Sequence, residues 1–359
     1  MDRHDVSDTV TAENVAQLHR EDLKIQDQFG CKGLTYWFDE KRKHAFCLIE
    51  APDANAIQNM HKHAHGEVPT RIIEVDANIV ESFLGRIQDP EKAKNSALNI
   101  IRDAAFRIIM VILLKKTKPF QHTSEKLKSS FKKLQSEIIN ALNLYDGNSV
   151  TQSDYYYLVS FTSVSNAVQA ALKIQSLFKS FNKKAQDIIL KIGLNAGVPV
   201  TYKQSIFEEA IKLTERMCEV VKSEMIISPE VKNLYESENA DGFSNAKNIC
   251  FLTKADEKFI TLLMDYTDSC WNNINLKVDN FSKPVQCSKS QLYRKIILLT
   301  GQSPNSFIKE YRLKEALKLL NKNSGNISEI AFETGFSSPS YFSKCFQKKY
   351  GCMPSDFLA

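Results

Sequence analysis

The amino-acid sequence predicts a multidomain α+β protein that ends in an all-α domain. With 359 residues the chain exceeds the size of one ordinary domain, so two or three are expected. Strand and helix periodicities alternate up to about residue 254, whereas only helical periodicity follows residue 259. The balance of basic and acidic residues also changes at about residue 259. Residues 259–359 hold 13 lysines and arginines against 8 acidic residues, and the preceding 258 residues hold 34 of each. The net charge of +5 therefore belongs to the C-terminal part, as expected of a domain that binds a polyanion.

Composition narrows the class of protein. Hydrophobic residues at 43% and charged residues at 25% are typical of a globular protein and argue against disorder. The longest apolar run, Ile108–Leu114, is too short to span a bilayer and is better explained as a buried strand. With no signal-peptide layout at the N-terminus, we expect a cytoplasmic protein without a membrane partner. The eight cysteines are scattered and form no C-x-x-C pair, which predicts reduced packing cysteines.

Residues 1–78 are predicted to alternate in the order βαββαβ, which is the ferredoxin-like plan. The two helices are expected in the segments TAENVAQLHREDLKIQDQFG and PDANAIQNMHKHAHG, each of which stops at a glycine. A linker helix is predicted to follow over residues 79–103.

Histidine is concentrated in this first domain, which holds six of the seven. His61 and His65 lie four residues apart on one helix face, a spacing that lets two imidazoles bind one metal ion. His63 points roughly the other way, whereas His4 on the first strand and His19 on the first helix approach from elsewhere. His4, His61 and His65 are therefore the candidate metal ligands. Two alternatives to a metal site remain open: histidines on a helix surface, and a buried pair that binds a small organic ligand.

The segments MDRHDV, FCLIEAPDA and MHKHAHGEVP give this domain a resemblance to a small family of ferredoxin-like proteins described as nickel-binding. The likeness spans about 75 residues. It implies that the ligand of the domain is a divalent metal such as nickel.

Residues 104–254 are predicted to form a second α/β domain. The expected elements are strands at Phe106–Leu114, Tyr155–Phe161, Ile188–Val198 and Met225–Ser228, and helices at Ser124–Leu144, Ser165–Phe181 and Phe207–Lys222. The segments LKIGLNAGVPV, IFEEAIKLTERMCEVV and EMIISPEVKNL are similar to the second half of class III nucleotide cyclase domains.

This resemblance also implies that catalysis is lost. Such cyclases hold two divalent ions with two aspartates, and Leu113 stands where the first belongs. Asp154 matches the second but lacks its usual glycine neighbour, and Arg216 fits the transition-state arginine. Lys212 stands where an asparagine is normal. We therefore expect no enzyme activity, and a silent cyclase-like domain that forms a homodimer or senses a ligand.

The C-terminal domain, residues 259–359, is predicted to contain two helix-turn-helix units. In the second unit a short helix ends at Gly335, and Ser338 with Pro339 begins a helix with an exposed polar and basic face. In the first unit, Ser288 caps a similar helix that ends at Gly301. The segment SPNSFIKEYRLKEALKLLNKN predicts a long amphipathic helix between them. That helix would hold the units at a separation suited to successive major grooves, roughly 34 Å apart.

Order, spacing and turn residues over about 100 residues make this domain resemble the AraC/XylS DNA-binding domain. The resemblance implies base contacts from six side chains, with Arg294 and Lys344 meeting guanine edges or phosphates. The six are Ser290, Tyr293, Arg294, Ser340, Ser343 and Lys344. The first unit departs from the family at Pro284 and at Gln286, where a glycine is usual.

Together these patterns predict a sequence-specific DNA-binding transcription regulator of the AraC type. Its partner would be a double-stranded operator, bound by a homodimer. The first two domains would sense a metal or small-molecule effector and bring two chains together. The competing hypothesis is a nucleotide cyclase or other nucleotide-processing enzyme fused to a DNA-binding tail.

Overall fold

The computed structural model describes residues 1–91, 97–116, 125–182, 188–243 and 248–357. Over these residues the chain forms two β-sheets followed by a bundle of helices. Within the same ranges, none of the helices combines the length and the apolar composition needed to cross a membrane.

The N-terminal unit contains a four-stranded antiparallel sheet with the order β2-β3-β1-β4. Its elements are β1 (Asp2–Asp5), α1 (Ala12–Ile25), β2 (Lys32–Asp39), β3 (His44–Glu50), α2 (Ala54–Ala64) and β4 (Arg71–Ile72). The hydroxyl of Thr11 and the carboxylate of Asp53 accept backbone N–H groups in the first turns of α1 and α2, which fixes where these helices begin. The predicted βαββαβ order is confirmed, with a last strand of only two residues.

The connection to the second sheet differs from the prediction. The helix α3 (Ala77–Leu84) ends at Gly85, which has φ +82°. The predicted linker helix over residues 79–103 is therefore wrong for residues 85–91 and 97–103, because a left-handed glycine terminates the helix at residue 85, and residues 92–96 lie outside the described part of the chain. The chain then turns back along β2, where the N–H of Asp89 donates to the carbonyl of Leu34 at 3.0 Å.

The second sheet has six strands in the order β10-β9-β8-β5-β7-β6. Its strands are β5 (Arg107–Lys116), β6 (Asn148–Gln152), β7 (Tyr156–Phe161), β8 (Ile188–Gly197), β9 (Met225–Ile227) and β10 (Ile249–Phe251). Its helices are α4 (Glu125–Leu144), α5 (Val164–Asn182), α6 (Glu208–Val220) and α7 (Pro229–Glu238). All four predicted strands and three predicted helices are present, together with β6, β10 and α7. The central strand β5 is antiparallel to both β7 and β8.

The two faces of this sheet are covered differently. On one face, Ile108 and Met110 belong to a core with α4 and α5. On the other face, Ile109 packs in a core that also contains Trp37 and Phe46 of the N-terminal sheet. Because this second face is buried within the chain, dimerisation through the six-stranded sheet would have to use another surface.

The C-terminal part is helical, and its two halves have separate cores. Its helices are α8 (Lys254–Cys270), α9 (Lys289–Thr300), α10 (Pro304–Asn321), α11 (Ile327–Glu333) and α12 (Pro339–Tyr350), with 3-10 turns at Val278–Phe281 and Pro354–Phe357. The first half shares its core with the six-stranded unit, since Val221 and Leu252 cluster with Leu292. The second half clusters around Phe342 and Phe346 on its own.

The turn of the first helix-turn-helix unit shows how the sequence accommodates its unusual residues. The leading helix is reduced to the 3-10 turn at Val278–Phe281, and Gln286 takes the left-handed conformation with φ +56°. Its N–H donates to the carbonyl of Lys283 at 3.1 Å, so the turn closes without a glycine.

We expect Gln286→Gly to raise the free energy of unfolding by about 0.5 kcal/mol. Relief of the left-handed strain, about 1 kcal/mol, should outweigh the added chain entropy of the unfolded state. The same replacement at Gln347, an exposed position within α12, should lower stability by about 1 kcal/mol. Urea unfolding of both variants measures these effects, and a less stable Gln286→Gly variant would contradict the strain argument.

Candidate functional sites

Both predicted recognition helices present their polar faces outward. On α9, Ser290, Tyr293 and Arg294 are exposed. On α12, Ser340 and Lys344 are exposed and Ser343 is half-buried. Each helix begins at the serine expected to cap it: the hydroxyl of Ser288 accepts the N–H of Gln291, and that of Ser338 accepts the N–H of Tyr341. The opposite faces of the two helices lie in the two cores.

The relative position of the two units is fixed by α10 and its contacts. The guanidinium of Arg312 on α10 donates to the carbonyls of Trp271 and Asn273, at 2.8 and 2.7 Å. Gly335, with φ +77°, lies against the same loop, where a Cβ atom would stand 2.8 Å from the carbonyl of Asn272. The glycine is therefore required both by its backbone conformation and by this close approach.

The N-terminal unit contains a buried cluster of histidines and carboxylates. His61 is 1% exposed and lies between two aspartates. Its Nδ1 is 3.0 Å from Oδ1 of Asp22, and its Nε2 is 3.0 Å from Oδ2 of Asp2. His65 Nε2 approaches Asp22 at 3.1 Å, and the ring of His4 stands edge-on to His61 with centroids 5.0 Å apart. The structure thus brings together all three predicted metal ligands, through two aspartates that the sequence pattern did not single out.

The two aspartates stabilise the protonated, positively charged form of His61. Burial favours the neutral form of His61, but hydrogen bonds to Asp2 and Asp22 prevail and raise its pKa to about 9. Burial likewise opposes ionisation of Asp2, yet His4 and His61 hold the pKa of that carboxyl well below its usual range. A buried imidazolium between carboxylates is therefore the stable form in the absence of metal.

The donor set of this cluster fits a divalent transition metal. Ligand atoms of Asp22, His61 and His65 lie within 4.8 Å of one another, as do those of Asp2, His4 and Cys47. Imidazole, carboxylate and thiol groups are the usual ligands of zinc, nickel and copper. Among the described residues the buried Nε2 atom of His4 has no hydrogen-bond partner and lies 3.6 Å from Oδ1 of Asp2, so both atoms could serve as ligands of one metal ion.

His63 and His19, the other two histidines discussed for this domain, lie outside the cluster. His63 is exposed, and its Nδ1 is 2.8 Å from the carbonyl of Asn59 in its own helix. His19 is buried with its Nε2 3.3 Å from the carboxylate of Asp89. The sequence does carry a signal for Asp2, because residues two apart on a strand share a face and His4 is a predicted metal ligand.

Two family models match the ends of the chain. Residues 281–359 match the model described as a helix-turn-helix domain, and residues 1–75 match the model of nickel-responsive SCO4226-like proteins. The C-terminal segment is an AraC-type helix-turn-helix domain. The N-terminal segment is SCO4226-like, in agreement with the resemblance drawn from its histidine-containing motifs.

Similar proteins were found among curated sequences and solved structures. The chain is 40% identical over 119 residues to histidine kinase P4 of Formosa agariphila, covering 32% of this chain and 9% of that protein. It is 29% identical over 98 residues to the regulator MtrA of Neisseria gonorrhoeae, covering 27% and 31%. The guanylyl cyclase domain of a Blastocladiella emersonii fusion protein is 19% identical, covering 37% of this chain and 86% of that domain, with a TM-score of 0.31. The chain thus spans less than a third of either curated relative.

The residues predicted to be remnants of a cyclase site have other contacts. Leu113 is half-buried on β5 and packs against the core shared with the N-terminal unit. Asp154 is exposed, with its Oδ1 3.3 Å from the amide nitrogen of Gln135. Arg216 is 6% exposed, and its Nη2 donates to Asp265 at 2.6 Å and to Asp268 at 3.0 Å. Arg216 therefore links α6 to α8, the helix that leads into the AraC-type domain.

We expect Arg216→Ala to lower the free energy of unfolding by about 2 kcal/mol, because hydrogen bonds to charged groups contribute about 1.5–3 kcal/mol. Arg216→Lys should recover only part of this loss, since one ammonium could meet Asp265 and Asp268 but could not also reach the carbonyl of Thr261, to which Nη1 of Arg216 donates at 3.3 Å. Urea unfolding followed by far-UV circular dichroism measures both variants. Equal stability of Arg216→Ala and the wild type would show that the link does not hold the two units together.

Proposed function

We propose that this protein is a sequence-specific DNA-binding transcription regulator that is not an enzyme. The observation that carries the proposal is the pair of exposed recognition helices, α9 and α12, held by one connecting helix in the part of the chain that contains its positive charge excess. The match to an AraC-type domain supports it. We propose a double-stranded operator as the partner and the cytoplasm as the location.

In the proposed complex the six side chains on the outer faces of α9 and α12 make different kinds of contact with DNA. Arg294 and Lys344 meet guanine edges or phosphates, because their cationic groups are exposed at the outer faces of the two helices. Tyr293 offers an exposed ring and hydroxyl beside Arg294, whereas Ser290, Ser340 and Ser343 supply short hydrogen-bonding groups. Contacts from two helices on one face of the duplex fit successive major grooves.

Selection of bound fragments from genomic DNA tests this function. The full chain should enrich a short sequence with two recognisable parts about one helical turn apart. Repeating the selection with nickel shows whether the metal alters the site or the affinity. Enrichment of no sequence, with binding that depends only on DNA length, would overturn the proposal of sequence-specific regulation.

We further propose that the N-terminal unit is a metal-responsive input. His4, His61 and His65 would hold a divalent metal such as nickel together with Asp2 and Asp22. The bound metal would supply a compact positive charge in place of the imidazolium proton. The buried position of the donors and the match to nickel-responsive proteins support this assignment.

The expected result is uptake of nickel by the wild type and its loss in the His61→Ala/His65→Ala double variant. Equilibrium dialysis with metal analysis measures the bound amount. His63→Ala is the matched control, because His63 lies on the same helix but outside the cluster, and it should bind as the wild type does. Equal uptake by the double variant and the control would place the metal elsewhere.

We propose that residues 1–78 and 104–254 sense the effector and form the dimer, and that the helices from α8 onward bind DNA. Catalysis is not expected of the cyclase-like unit, because Leu113 offers no metal ligand and Arg216 is held by two aspartates.

Incubation with ATP or GTP and Mn²⁺ tests this: formation of a cyclic nucleotide that Asp154→Ala abolishes would favour the enzyme hypothesis. Sedimentation of the purified chain tests the proposed homodimer.

A further inference from the structure

A cavity of about 720 Å³ lies between the six-stranded sheet and the AraC-type domain. One wall is formed by the ends of β5 and β8, with Leu114 and Lys191, and by Tyr155 ahead of β7. The other wall is formed by α10 and the end of α12, with Tyr311 and Tyr350. Its volume is in the range of sites that bind small molecules.

The lining of the cavity is strongly cationic. Six lysines face it against two glutamates: Lys115, Lys116, Lys191, Lys222, Lys314 and Lys349 against Glu219 and Glu310. The two glutamates are already paired, Glu219 with Lys314 and Glu310 with Lys349. The excess of four positive charges in a partly enclosed space favours an anion.

Two of these lysines reach only backbone oxygens. The ammonium of Lys191 is buried and donates to the carbonyls of Val221, Lys222 and Ser223, at 2.7, 2.7 and 2.8 Å. Lys115 Nζ donates to the carbonyl of Cys218 at 3.2 Å. Within the described part of the chain neither lysine forms an ion pair with a carboxylate. Burial and the neighbouring Lys115 lower the pKa of Lys191 to about 8, so an anion placed here would relieve an unfavourable charge.

The remaining lining is aromatic and apolar. The rings of Tyr155, Phe307 and Tyr350 face the cavity together with Leu114 and Met264. The ammonium of Lys116 lies 5.0 Å from the centre of the Tyr155 ring. Flat apolar walls with convergent cations suit a ligand that has both an apolar body and an anionic group.

We propose that this cavity binds a small organic anion, with a flat apolar body and a carboxylate or phosphate group, as the effector of the regulator. The ligand would contact the six-stranded sheet and α10 at once, and α10 joins the two helix-turn-helix units. Ligand binding would therefore favour one relative placement of the two units. This consequence for DNA affinity rests on the proposed function, whereas the binding itself does not.

The test uses 8-anilinonaphthalene-1-sulfonate, a fluorescent anion with a flat apolar body, and the full chain without DNA. We expect saturable binding of one molecule per chain and a rise in melting temperature with probe concentration. The uncharged analogue N-phenyl-1-naphthylamine should bind at least tenfold more weakly. Equal affinity for the charged and uncharged probes would overturn the proposal.

Variants locate the site. The three N–H groups of Lys191 are held by backbone carbonyls, so this residue contributes its charge, and Lys191→Met should weaken binding several-fold. Lys116→Met, an exposed position at the rim that leaves the buried contacts intact, should also weaken it several-fold. Lys173→Met, on the exposed side of α5, is the control and should have no effect. If all three variants bind like the wild type, the cavity is not the site, and Lys116→Met decides this even where Lys191→Met fails to fold.

Competition assigns the anionic group. Displacement by 1-naphthoate or by 1-naphthyl phosphate supports the proposal and shows which group is preferred. Inorganic phosphate that displaces the probe as well as 1-naphthyl phosphate would overturn the apolar part of the proposal. Because no DNA is present, failure of these experiments leaves the DNA selection untouched, and the reverse also holds.

Discussion

Asp2→Ala is expected to lower the free energy of unfolding by about 3 kcal/mol, because removing one partner of a buried ion pair leaves the other charge uncompensated. Asp2 is fully buried and accepts from His61 at 3.0 Å. Its other oxygen accepts the N–H of Cys47 at 2.9 Å, so the substitution also leaves a backbone donor without its partner. Urea unfolding of the metal-free protein, with a chelator present, measures the loss.

Asp5→Ala is the matched control, since Asp5 lies on the same strand but is exposed. It should change stability by no more than about 0.5 kcal/mol, as is usual for surface pairs. If Asp2→Ala and Asp5→Ala were equally stable, the buried cluster would not contribute to the free energy of unfolding in the way that its contacts indicate.

The same cluster gives the metal-free protein a pH-dependent stability. Although burial opposes it, hydrogen bonding to Asp2 and Asp22 raises the pKa of His61 from 6.5 to about 9. The stabilisation is therefore fully present below about pH 6.5 and is lost as the pH rises through about 9. The wild type should lose stability over this interval, and Asp2→Ala should lose less. Parallel curves for the two proteins would exclude His61 as the titrating group.

Arg294→Ala combined with Lys344→Ala is expected to weaken operator binding about 100-fold or more. Each contact to a base or phosphate is worth about 1–3 kcal/mol, and the two residues lie on different helices. The slope of log affinity against log salt should also become shallower by about one for each phosphate that the variant no longer neutralises. Fluorescence anisotropy with the selected operator at several salt concentrations measures both quantities.

Lys173→Ala removes one exposed positive charge from α5, outside the AraC-type domain, and serves as the control for loss of charge elsewhere on the chain. It should leave affinity at 0.15 M salt nearly unchanged, because Lys173 is on neither recognition helix and salt at this concentration screens exposed charges that are not in contact with the DNA. A double variant that bound as tightly as this control would remove Arg294 and Lys344 from the interface.

The sequence was most informative where local patterns determine structure. Caps such as Ser288 and Ser338, and the left-handed glycine at Gly335, are local signals, so the helices of the AraC-type domain could be located closely. The buried run of β5 and the alternating order of the first sheet were predictable for the same reason.

Interactions between distant segments could not be predicted in this way. Asp2 and Asp22 join the histidine cluster only because β1, α1 and α2 pack together, and the sequence separations involved carry no periodic signal. The motif around Arg216 resembles one that carries a catalytic arginine, whereas the partners of Arg216 lie in a helix that begins almost 40 residues later. The predicted linker helix is longer than α3 because the return of the following segment along β2 depends on a tertiary contact, such as that of Asp89 with Leu34.

The shared core of the first helix-turn-helix unit has a consequence for building chimeras. The N–H of Lys222 donates to the carbonyl of Leu299, so the end of α9 is tied directly to the six-stranded unit. A fragment cut at residue 259 would expose Phe259 and Leu292 on the side that Val221 and Leu252 normally cover. This DNA-binding module is therefore not freely interchangeable: transplanted onto another sensor, it would need to bring its supporting surface with it.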